Sequence, residues 1–162
     1  MLAQLQHGAA APRARELVQT MEDGRCKLLL TWKVLQLRRA HPQLFRDGNY
    51  RRLRVRGEHA NNICAFARRL GSQSLIVIAP RLYRRLLADR GGLPLGSEVW
   101  GDTLIELPRE QRSKGAFRGV LDGAQIEALP HGEIAAVSVA QALAEFPVAL
   151  LAAGCGEAGN PA

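Results

Sequence analysis

"KLLLTWKVLQLRRAHPQLFRDGNYRRLRVRG", residues 27–57, changes its apolar period part-way along, and that change sets the fold class. Up to Ala40 the apolar residues follow helical spacing; from Tyr50 onward they alternate. At 100° per residue, Leu28, Trp32 and Leu35 share one side of a helix running roughly from Arg25 to Ala40. Leu30, Val34 and Leu37 share nearly the opposite side. Pro42 stops this helix, because its ring pushes His41 out of the helical region. In "YRRLRVRG", Leu53 and Val55 alternate with Arg52, Arg54 and Arg56, which predicts a half-buried strand.

A helix with two apolar stripes needs cover on both. Lys27, Thr31 and Arg38 fall on a narrow strip between the stripes. Arg39 extends the first stripe near the helix end, where a cation also suits the dipole. With Arg25, the stretch holds ten basic side chains against one acidic one, Asp47, in a chain of net charge +7 and pI near 10.2. Such a surface attracts any polyanion. Burying the six apolar side chains is nonetheless worth on the order of 10 kcal/mol before entropy, whereas exposed charge pairs contribute about 0–1 kcal/mol each. Packing of the helix is therefore the organising fact. A DNA recognition helix would keep one whole face polar, so nucleic acid is not the expected partner.

The 162 residues suit one domain, or one domain with a helical appendage. Hydrophobic residues make up 47%, enough for a core without staples. No apolar run approaches the ~20 residues of a membrane span, and the N-terminus lacks a secretory pattern, so a cytoplasmic protein is expected. Cys26, Cys64 and Cys155 are too widely spaced for a disulfide framework or metal knuckle. His7, His41, His59 and His131 have no neighbouring ligand, so neither a metal nor a cofactor is expected.

Before this helix, "RARELVQTMEDG" (13–24) places Leu17, Val18 and Met21 on one helical face and ends at Gly24, a plausible C-cap. Beyond it, "NICAFARR" (62–69) and "SLIVIAPR" (74–81) read as strands joined through "GSQS"; the second is apolar on both faces and so central. "LYRRLLAD" suggests a short helix, and "VWGDTLIELP" a strand pair around Gly101-Asp102. "GAFRGVLDG" ends in an Asp-Gly turn. "GEIAAVSVAQALAEFPVALLAA" reads as a strand, a short helix near Val139 to Glu145 capped by Ser138, and a final strand after Pro147. The expected class is α+β: a helical segment over 1–41, an antiparallel β-sandwich-like domain over 42–152, and a loose tail over 153–162.

Chemical motifs are sparse. Asp102 and Glu106 are the nearest carboxylate pair in the strands, but acids beside a Gly turn are mostly turn formers. There is no nucleophile elbow, Walker loop or dinucleotide fingerprint. "DGRCK" groups Arg25 and Lys27 at a helix start, a candidate contact for an anionic or polyol ligand, with Asp23 as the cap. Trp32, Tyr50, Tyr83 and Trp100 are the aromatic candidates for stacking; Trp32 belongs to an apolar stripe, and Trp100 stands before a Gly-Asp turn.

The ordered blocks "DGRCKLLLTWKVLQLRRAHPQLFRDGNYRRL", "AFARR", "LIVIAPRL", "LPLG", "VWGDT", "ELP", "FRGVLDG" and "EFPVALL" resemble the C-terminal region of malto-oligosyltrehalose synthases, of the α-amylase clan. They run from about Ala14 to Leu151. Phe117 stands where the family usually has Trp, and Cys26 where it has an aliphatic residue. The resemblance implies that residues 14–41 end a (β/α)₈ catalytic barrel and that the strands form the β-domain packed against it. It also implies a parent isomerase of trehalose biosynthesis, which turns the reducing-end α-1,4 linkage of a malto-oligosaccharide into α,α-1,1 through a carboxylate nucleophile and a carboxylic acid. Both precede every block matched here, so the chain alone is expected to be inactive. Its expected partners are the barrel, malto-oligosaccharide through the barrel, and a second copy through helix faces left bare. A carbohydrate-binding module and a basic nucleic-acid-binding domain are the alternatives.

Overall fold

The computed structural model describes residues 16–87, 91–131 and 134–155, with the backbone alone at 112–114. A helical turn at 16–19 and a 3₁₀ turn, Met21–Asp23, lead into helix α1 (Arg25–Ala40). Gly24 makes the junction at φ +77°, and its N–H bonds Met21 O. The Asp23 carboxylate accepts the Arg25 N–H at 2.9 Å, satisfying one orphan donor of the helix start. Pro42 ends one helix and, in the first-turn position it tolerates, starts the next, α2 (Pro42–Arg46).

Among the described residues, ten antiparallel strands follow in two sheets. One has the order β1 (Asn49–Arg52), β3 (Ile63–Leu70), β4 (Gln73–Pro80), β10 (Ala149–Ala153), β6 (Ala116–Gly119), β7 (Gln125–Glu127). The other has the order β2 (Val55–Arg56), β5 (Leu104–Glu106), β9 (Ile134–Ser138), β8 (Leu129–His131). Short helices α3 (Arg84–Leu87), α4 (Ser97–Trp100) and α5 (Val139–Ala142) lie in the connections. The expected α+β class with antiparallel sheets is observed. Ser138 Oγ accepts from Gln141 N at 3.3 Å, capping α5, which ends at Ala142 rather than near Glu145.

The "YRRLRVRG" run is two strands rather than one. β1 pairs with β3 in the first sheet, β2 with β5 in the second, and buried Leu53 lies between them. Leu53 N bonds Ala65 O, while Arg54 O accepts from Glu106 N, so the backbone passes from one sheet to the other within two residues. The reading of "VWGDTLIELP" as a strand pair also needs correction. Its first part is helix α4, closed by Gly101, and only Leu104–Glu106 is strand. The indole of Trp100 is fully buried and donates to Pro94 O at 2.8 Å, which a helical turn allows.

The sheets enclose a core of Ile76, Ile78, Ile105, Phe117, Val137 and Leu151, among others. The outer face of the six-stranded sheet carries a second core, in which Leu29, Leu37 and Leu44 of the helices meet Leu75, Leu150 and Phe146. Register explains why "SLIVI" is apolar throughout. Ile76 stands opposite Leu151 and faces the sandwich; Val77 stands opposite Leu150 and faces the helices. Three layers result: helices, sheet, sheet. Leu17, Val18, Leu29, Leu37 and Leu44 of the helical layer share the second core with the sheet. Among the described residues, no helix is long and apolar enough to cross a membrane.

Candidate functional site

The outward side of α1 holds the feature that packing does not explain. Cys26, Leu29 and Leu37 are buried against the sheet, and Leu30, Trp32 and Val34 flank them half-buried. The buried face is thus one broad arc centred near Lys33, not two opposed stripes. Leu35 lies on the far side of the helix and is 58% exposed. The expectation that both stripes are covered holds for Leu30, Val34 and Leu37 but fails at Leu35.

Beside Leu35, α2 folds back and closes one side of an open depression of about 490 Å³. Leu35, Pro42 and Phe45 supply its apolar surface; Arg38, Arg39 and Arg46 supply three guanidinium groups. Arg46 is held by Asp47, with Nε–Oδ1 and Nη2–Oδ2 both 2.9 Å. That bidentate bond holds the Asp47 carboxyl below its usual range. Arg38 and Arg39 are exposed, and neither forms an ion pair among the described residues. The sequence reading missed this site because it assigned Leu35 to a buried stripe. The signal was the position of Leu35 opposite Cys26, Leu29 and Leu37, followed at once by a Pro-started second helix.

Arg25 and Lys27 stand at the start of α1, on the outer layer. Arg25 Nε reaches Asp23 Oδ2 at 2.5 Å and its Nη2 donates to Thr20 Oγ1 at 3.0 Å, so its guanidinium is committed locally. Hydrogen bonds from Arg25 hold Asp23 below the ordinary carboxyl value. Lys27 is exposed. Trp100 is in the inter-sheet core, across the six-stranded sheet from that helical layer. The structure does not bring the three together, and a stacking role for Trp100 is corrected: its indole has no surface to offer. Tyr83 is half-buried. Tyr50 is 62% exposed and leans on Phe66, with ring centroids 5.0 Å apart and planes at 33°.

Several of the described carboxylates are engaged in structure. Arg51 meets Glu110 at 3.5 Å, Arg56 Nε donates to Glu106, and Asp102 and Asp122 accept backbone N–H groups of turns. Among the described residues, no group of three or more His, Cys, Asp and Glu side chains is placed to hold a metal. Burial pushes the Cys26 thiol up, with the Asp23 charge adding to the effect, and its side chain packs in the outer core. The arrangement presents an apolar and cationic depression on the helices and an aromatic edge on the sheet. No family model, no curated protein and no solved structure matches the chain.

Proposed function

We propose that this chain is the C-terminal module of a malto-oligosyltrehalose synthase-like isomerase of the α-amylase clan, cytoplasmic and inactive without its catalytic barrel. One observation carries this reading: the blocks that bear the resemblance are neighbours in space. "LIVIAPRL" lies on β4 and beyond, "EFPVALL" leads into β10, and "FRGVLDG" starts within β6; β10 hydrogen-bonds to both other strands. The helical block packs across the same sheet. The exposed Leu35 side suits a helix made to lie against a neighbour. Among the described residues, exposed Lys27 is the proposed contact toward substrate, Arg25 being held by Asp23 and Thr20, and no catalytic residue is assigned.

Incubation with maltopentaose tests the proposal. The chain alone should give no non-reducing product, and adding it to a synthase barrel lacking its own C-terminal part should restore conversion. Product from the chain alone, or no restoration, overturns the reading.

A second reading is favoured by Tyr50, whose exposed ring resting on Phe66 is a stacking platform for a sugar face. Affinity electrophoresis in soluble starch checks it. Retardation that Tyr50→Ala abolishes supports carbohydrate binding; unretarded migration of the unaltered chain excludes it.

A further inference from the structure

The groove between α1 and α2 combines an exposed leucine, a proline and an aromatic floor with Arg38 and Arg39, which form no ion pair among the described residues, and that combination selects its occupant. We propose that this groove docks an acidic amphipathic helix of the catalytic barrel, whose apolar side fills the space over Leu35, Pro42 and Phe45 while its carboxylates meet Arg38 and Arg39.

Charge decides among the occupants. A second copy docking symmetrically would bring its own Arg38, Arg39 and Arg46 against the first three, and like charges on a shared two-fold surface repel. The two termini also fail. Residues 1–15 contain Arg13 and Arg15 and no carboxylate, and residues 156–162, "GEAGNPA", hold no large apolar side chain. Nucleic acid would satisfy the arginines but leave Leu35 and Pro42 facing phosphate and water. An acidic helix satisfies both components, with anchors at helical spacing in an apolar groove. The arginines suit carboxylates because their planar forks accept bidentate pairing. Arg46, already pinned by Asp47, forms the rim and sets the orientation rather than supplying a new pair.

This inference rests on the reading of the chain as a docked module and names the chemistry of the surface it meets: an acidic helix of the catalytic barrel. The tests separate the two claims. A fluorescein-labelled 18-residue amphipathic peptide of Leu and Glu is titrated with the full chain and followed by anisotropy, beside the same peptide with Lys for Glu. The acidic peptide should bind at least tenfold more tightly than the basic one. Arg38→Glu with Arg39→Glu should weaken the acidic peptide at least tenfold and reverse the preference. Leu35→Glu should weaken the acidic peptide, and circular dichroism should show each variant folded, since all three positions are exposed. Equal binding of both peptides, or affinity for the acidic one untouched by these variants, overturns the proposal. So does a dimer in sedimentation equilibrium that Leu35→Glu dissolves. If the double-arginine variant restores a truncated synthase barrel as well as the unaltered chain does, the docking proposal falls and the family reading stands. Peptide binding that obeys the charge reversal, without restoration of the barrel, upholds the groove and removes the family reading.

Discussion

Ser74 and Gln111 show how a single buried polar contact is held in an apolar interior. Both side chains are buried, and Gln111 Nε2 donates to Ser74 Oγ at 2.6 Å. Ser74→Ala strands that amide, so we expect a loss of about 1–3 kcal/mol in urea unfolding. Adding Gln111→Leu should cost less than the two single losses combined, because no orphan then remains. Thiol chemistry should follow burial in the same way. Cys64 is exposed and Cys26 buried with a raised pKa, so a thiol reagent at mildly alkaline pH should modify Cys64 rapidly and reach Cys26 only in denaturant. Lys33 carries a third expectation. It lies half-buried under α1 with its Nζ 5.5 Å from the Trp32 ring centre; burial first and the Arg118 charge second lower its pKa. The unfolded chain therefore holds that proton to higher pH than the folded one. Stability should rise as pH climbs from the lowered value to the ordinary lysine value, and Lys33→Met should raise the urea midpoint at neutral pH and remove that rise.

At the scale of elements, α1 is asymmetric in a way that substitution can read. Leu37 is buried against the sheet, and Leu37→Ala should cost about 2–5 kcal/mol. Leu35→Ala, on the exposed side, should change stability by less than about 0.5 kcal/mol in the same unfolding assay. Sequence alone located this helix and its stop at Pro42, because helical period and proline sterics are local. It also identified β4 as central, since only a strand covered on both faces is apolar at consecutive positions. Which side of α1 meets the sheet was not legible. Both candidate arcs hold leucines, and the choice depends on Leu75 and Leu150, some 40 and 115 positions further along. The division of "YRRLRVRG" was hidden for a related reason. Alternation records which residues point inward but not which sheet each backbone group joins. Trp100 was misplaced because the Gly-Asp pair after it signals a turn without showing that a helical one precedes it.

For the molecule as a whole, the two cores share the six-stranded sheet as a common wall. Ile76 and Leu151 belong to one, while Leu75 and Leu150, their immediate neighbours in the chain, belong to the other. Disrupting either core disturbs the same two strands. The helices and the sandwich are therefore expected to unfold in one transition, with coincident loss of helical circular dichroism and, in a Trp32→Phe variant, of Trp100 fluorescence. An earlier loss of the helical signal would show that the outer layer is separable. The segments that form β4, β6 and β10 lie far apart in sequence, and their pairing became visible only in three dimensions. The passage of the chain through Leu53 adds a mechanical consequence. Because the backbone on either side is stitched into opposite walls of the sandwich, those walls cannot glide past each other near that corner without tearing one set of stitches. That corner is a clasp, and whatever force a docked neighbour exerts on the helices would reach the far wall through it as tension rather than be lost in slippage.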